Sequence, residues 1–195
     1  MLQGACAVRG RVQDFSLLPT SLQYKRGDMS DNHQTGALQP TTDIAAYAAG
    51  LSAGARLIGI DLGTKTLGLA LSDITRTIAS ALETIRRTKF TADATRLLEI
   101  AAEHRCGGLV LGLPSNLDGS EGPRAQATRA FARNLSKLTT LPILMWDERL
   151  STVAAERMLI EADTSRRRRA EVIDKVAATV ILQGALDRMK NLSRA

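Results

Sequence analysis

Cysteine is nearly absent from this chain. Its 195 residues include only Cys6 and Cys106, too few and too far apart for a disulfide framework or a cysteine metal cage. That scarcity suits a reducing, cytoplasmic compartment. Aromatic residues make up only 3%, with Trp146 the single tryptophan, so a platform for stacking unpaired bases is poorly supplied and backbone contacts are expected to outweigh base readout. No run of about 18 apolar residues occurs, which leaves no membrane-spanning helix. Residues 1–28 also lack the basic-then-apolar layout of a secretory signal. The expectation is a soluble, unexported protein with no membrane partner.

What is present suits one globular domain with chain to spare: 44% of residues are hydrophobic and 24% charged. The formal net charge is +6 and the pI about 9.8, a balance that attracts polyanions through phosphate neutralisation and counterion release. Nucleic acid is therefore the natural partner class. Residues 1–54 set Arg9, Arg11, Lys25 and Arg26 against Asp14, Asp28, Asp31 and Asp43, so the whole excess falls in residues 55–195. The first 54 residues keep no sustained period and are read as a disordered N-terminal extension, with a short helix near Ile44 to Leu51 and Met29 as a candidate initiator. Residues 55–195 form the expected folded domain.

At Arg56 the pattern changes. Leu57 to Ile60 and Leu67 to Leu71 are apolar runs separated by Gly63-Thr64-Lys65-Thr66, which predicts two strands joined by a tight turn. A third strand is expected from Ile78 to Ile85, then a helix from Ala92 to His104 that Cys106-Gly107-Gly108 ends. Leu109 to Leu113 reads as a buried strand, Arg124 to Leu138 as a helix, and Ile143 to Trp146 as another buried strand. Ser151 or Thr152 caps a further helix to about Ala162, Arg166 to Arg169 make a loop, and Val172 to Lys190 make the last helix. The order βββαβαβαα predicts an α/β domain with a sheet covered on both faces.

In open sheets ligand sites gather beyond the carboxyl ends of parallel strands. Asp61 ends the first strand, Asp147 and Glu148 end the last, and Pro114 to Gly119 leave the strand between. Asp174 stands on the final helix with Ala177, Ala178 and Ile181 at the i+3, i+4 and i+7 positions, and an acid beside an apolar stripe needs a partner. Such hard oxygen ligands hold Mg²⁺ or Mn²⁺ and leave positions open for water and phosphate, the device of two-metal phosphodiester cleavage. Each acid alone has an ordinary reading. Asp61 suits a turn, Glu148 suits solvent or Arg149, and Asp174 suits the positive end of a helix. The arginines Arg166 to Arg169, Arg167 and Arg168 among them, with Lys175 beside Asp174, make either a solvated loop or a phosphate-steering patch.

Four blocks taken together are more specific: Gly59-Ile60-Asp61-Leu62-Gly63-Thr64-Lys65, Gly112-Leu113-Pro114-Ser115-Asn116-Leu117-Asp118-Gly119, Asp147-Glu148-Arg149-Leu150-Ser151-Thr152 and Ile173-Asp174-Lys175-Val176-Ala177-Ala178. In this order they resemble the YqgF family, also called RuvX, whose bacterial members are assigned as pre-16S ribosomal RNA nucleases. The resemblance covers about residues 55–190. It implies a ribonuclease H-like fold related to the RuvC resolvase, with a five-stranded mixed sheet flanked by helices, and trimming of precursor 16S ribosomal RNA at its 5′ end. It places the family's three acids on Asp61, Glu148 and Asp174, and sets Lys65, Asn116 and Arg149 at the border of the site. Asp-Leu-Gly-Thr-Lys also resembles the phosphate loop of actin-type and sugar-kinase ATPases, but those need two such domains and one fits here. The remaining alternatives are a resolvase of branched DNA and a non-catalytic nucleic-acid-binding module. Monomer and homodimer both stay open, a resolvase requiring the symmetric dimer that cuts two strands.

Overall fold

Residues 57–60 are apolar without a break because the strand they form is covered on both sides. In the computed structural model, which describes residues 38–114, 122–148 and 166–193 with side chains in the last stretch from Lys175 onward, this strand is β1 (Arg56–Leu62). Leu57, Ile58 and Ile60 are fully buried. β2 (Thr66–Ser72) and β3 (Ala79–Arg86) follow as antiparallel neighbours, while β4 (Cys106–Leu113) and β5 (Ile143–Asp147) add in parallel on the other side of β1. The sheet order is β3-β2-β1-β4-β5, the five-stranded mixed sheet that the resemblance implies.

Strand alternation divides the core in two. Ile58, Ile60, Leu109, Leu111, Ile143 and Met145 face one side, where α2 (Phe90–Glu103) and α3 (Pro123–Leu135) bury Leu97, Ile100, Phe131 and Leu135. Leu57, Val110, Leu144 and Trp146 face the other. There α1 (Ile44–Ala49) contributes Tyr47, and the long α4 (Arg166–Leu192) lays Ala178, Ile181, Leu182, Ala185 and Leu186 on the sheet at helical spacing.

Three expectations change. The expected boundary at residue 54 cuts through packed structure. Thr41 bridges Leu144 beside β5, Asp43 caps α1 by accepting the Ala45 and Ala46 N–H groups, and Tyr47 is 2% exposed. Its hydroxyl fills the space where a Cβ on Gly108 would lie, 2.5 Å away. Cys106-Gly107-Gly108, expected as a helix stop, opens β4 instead. The helix ends at Glu103 with His104 as its cap, and Arg105 makes the exit with φ of 54°, a left-handed turn unusual for a residue with a side chain. Arg166 to Arg169, expected as a loop, are the first residues of α4, consistent with the high helix propensity of arginine. The expected helix from Ser151 to Ala162 lies outside the described residues, as do residues 1–37 of the N-terminal extension.

α4 sits on the sheet through a missing side chain. A Cβ on Gly59 would lie 2.6 Å from Leu182 Cβ and 2.8 Å from the Ala178 carbonyl oxygen. The Ala178 oxygen is helix backbone, so the helix must shift to admit even one methyl group. Gly59→Ala is expected to destabilise the domain by about 1–3 kcal/mol, seen as a lower urea midpoint; an unchanged midpoint would show that α4 is not seated on β1 in solution.

Candidate active site

The same alternation that seats α4 also sorts the acids. Asp61 follows Leu57 and Gly59 on the α4 side of β1, at the strand's carboxyl end. On β5, Leu144 and Trp146 face α4, and Glu148 comes two residues later in the short turn that leaves the strand. Register brings the two ends level: Ile60 pairs with Leu111 on β4, and Gly112 pairs with Trp146 on β5. Gly112 therefore stands between the two acids on the strand that separates them.

Gly112 leaves that space open. A Cβ there would lie 2.7 Å from Glu148 Oε1 and against the tip of Ile181. The Glu148 carboxylate thus lies over the middle strand, turned toward β1. Burial pushes its carboxyl above the ordinary value, the Asp61 charge adds to this, and the Asp147 charge contributes further, while Arg124 pulls the other way. Asp61 is thus close enough to disfavour ionisation of Glu148, and a cation between them would relieve that repulsion. Their hard oxygen donors fit Mg²⁺ or Mn²⁺.

Asp174 stands in α4 one turn before Ala178, which is fully buried against the sheet; its side chain is outside what the structure describes. Among the described residues, no group of three or more acidic, histidine or cysteine side chains is gathered closely enough to hold a metal. Lys65 is exposed on the turn after Asp61, Lys175 is half-buried on α4, and Arg167 and Arg168 lie in its first turns. Asn116 and Arg149 lie outside the described residues.

Sequence reasoning passed over Arg124. It is exposed, the second residue of α3, and its charge acts on Glu148. The available signal was its place just after the loop at the carboxyl end of β4, where substrate groups gather. A cavity of about 360 Å³ lies elsewhere, lined by Gly54, Arg56, Ile74, Glu103, His104 and Arg105 near the starts of β1 and β4, at the end of these strands opposite the acids.

Residues 55–188 match the model of the RuvX family, described as Holliday junction resolvase. A relative from Paracoccus denitrificans named "Putative pre-16S rRNA nuclease" is 64% identical over 152 residues, covering 78% of this chain and 96% of its own. One of the same name from Cereibacter sphaeroides is 67% identical over 151 residues, covering 77% and 94%. Among solved structures, RuvC of T. thermophilus in complex with a Holliday junction substrate aligns at a TM-score of 0.44 and 14% identity over 69% of this chain and 96% of that one. A yeast mitochondrial Holliday junction resolvase gives 0.43 and 10% over 77% and 86%. Structural likenesses of that size carry no weight for function.

The facing carboxylates make a pH prediction for the metal-free protein. Because the Asp61 charge raises the Glu148 pKa, Asp61→Asn is expected to lower it, so that Glu148 ionises at a lower pH. Carboxyl-detected NMR titration reads this directly, and an unmoved midpoint would mean that the two groups do not face each other.

Proposed function

The chain belongs to the RuvX family, and from that membership we propose that it is a divalent-metal-dependent nuclease that trims the 5′ end of precursor 16S ribosomal RNA in the cytoplasm during ribosome biogenesis. The observation that carries this reading is the pairing of Asp61 with Glu148 across Gly112, where burial and the neighbouring charge both raise the Glu148 pKa. Two half-buried like charges held close together are costly unless a cation is recruited. Asp61, Glu148 and Asp174 would hold Mg²⁺ or Mn²⁺, which supplies charge stabilisation at the phosphate and an activated water.

The remaining groups bind and orient. Lys65, on the turn after Asp61, offers a point charge to a phosphate near the acids. Arg124 offers another from the start of α3. Arg167, Arg168 and Lys175 would extend the basic surface along α4, with Asn116 and Arg149 completing the border of the site. These contacts address the backbone, as the scarcity of aromatic residues also suggests.

A second reading has its own support, since the family's description is Holliday junction resolvase. Resolution of a four-way junction needs two cuts and therefore a symmetric pair of sites, whereas trimming of one RNA strand needs a single site in a monomer or homodimer. Cleavage of precursor 16S RNA and of a four-way DNA junction, each assayed with Mg²⁺, with Mn²⁺ and with a chelator, separates the two. The expected result is metal-dependent cleavage of the RNA. Cleavage of the junction alone would move the assignment to resolvase, and no cleavage of either would overturn both.

A further inference from the structure

Arg87 lies one residue beyond β3, yet it holds the turn that follows Asp61 at two points. Its backbone N–H donates to the Lys65 carbonyl at 2.9 Å, and its Nη1 donates to the Gly63 carbonyl at 2.6 Å. The turn itself is tight, for a Cβ on Gly63 would lie 2.9 Å from the Thr66 carbonyl oxygen. One residue from outside the hairpin thus satisfies the first and last carbonyls of Gly63-Thr64-Lys65.

Arg87 has a fixed support in turn. Asp93, in the first turn of α2, is 3% exposed and sets its Oδ2 3.9 Å from Arg87 Nε. Its Oδ1 accepts the Thr88 N–H at 3.0 Å and the Thr88 hydroxyl at 3.3 Å. A carboxylate so buried is held by its partners and by the positive end of its helix. The connection runs from the helix through Asp93 to Arg87, and from Arg87 to the turn that carries Lys65.

We propose that Arg87 is a positioning residue, which fixes the β1–β2 turn so that the exposed Lys65 ammonium is held ready for a phosphate of the nucleic-acid backbone beside Asp61. The proposal rests on the nuclease reading above. A lysine on a loose turn must be ordered by each binding event, at a cost in affinity that a pinned turn avoids. Arg87 then acts through Lys65, and its contribution disappears when Lys65 has no charge to place.

A double-mutant cycle tests this. Affinity for a short RNA oligonucleotide is measured in chelator, so that nothing is cut, for the wild type, Arg87→Ala, Lys65→Ala and the double variant. Amide hydrogen exchange is followed at residues 64–67. Arg87→Ala is expected to speed exchange at the turn and to weaken RNA binding by about three- to tenfold, while the double variant binds no more weakly than Lys65→Ala alone. Arg87→Lys, which keeps a donor for Gly63 and a charge for Asp93, should recover part of the affinity. Should Arg87→Ala fail to fold, Asp93→Asn tests the same coupling with Arg87 still present.

Additive losses would overturn the proposal, because Arg87 would then act on the RNA directly. Unchanged exchange, unchanged affinity in Arg87→Ala, or full affinity in Lys65→Ala would each overturn it as well. A wild type that binds no RNA would instead remove the nuclease reading, and with it any role for Lys65.

Discussion

The close seating of α4 on the sheet is the constraint on which the rest depends. It requires Gly59, where a side chain would meet helix backbone, and Gly112, where a side chain would meet the ends of Ile181 and Glu148. The contrast between them is chemical. At Gly59 the obstacle is the helix itself, so the position governs stability. At Gly112 the obstacles are flexible tips that can swing aside, so the position governs where the Glu148 carboxylate lies. A strip of the sheet without side chains thus brings the helix that carries Asp174 down onto the face that presents Asp61 and Glu148.

That arrangement concentrates negative charge where the sheet's parallel strands end. Burial and Asp61 together raise the Glu148 pKa. Arg124, at the start of α3, acts on Glu148 against that trend, and Lys65 stands exposed on the β1–β2 turn. Paired acids in a protein of net positive charge suit a ligand that is itself polyanionic but binds together with divalent cations. The same argument explains why an overall charge of +6 coexists with the facing acids Asp61 and Glu148.

The parts of this account that were legible in the sequence share one property: each rests on a local pattern. β1, β4 and β5 were readable because both faces are buried, so their apolar runs are continuous. Asp61 stood out because it directly follows such a run, and Glu148 because only Asp147 separates it from another. The parts that were not legible depend on partners far along the chain. The short helix near Ile44 was expected, but its attachment to the domain was not, since it is held by Tyr47 filling the space over Gly108 and by Thr41 beside Leu144. Gly107 and Gly108 look like a helix stop, yet they belong to β4, where neighbouring elements approach closely. Arg87 looked like any basic residue after a strand, since its role depends on Gly63, 24 positions earlier. The arginine run was ambiguous for a different reason, because charge repulsion and helix propensity pull in opposite directions and only the surrounding fold decides between them.

The central claim is that Asp61 takes part in phosphodiester cleavage rather than merely ending a strand. Single-turnover cleavage by a purified, folded Asp61→Asn variant, with RNA affinity measured on the same preparation, tests it most directly. The change removes one charge and leaves the shape nearly intact. The expected result is a rate about a hundredfold to a thousandfold below wild type, with affinity retained or slightly improved as one repelling acid is neutralised. A folded variant that cuts at the wild-type rate would contradict the assignment.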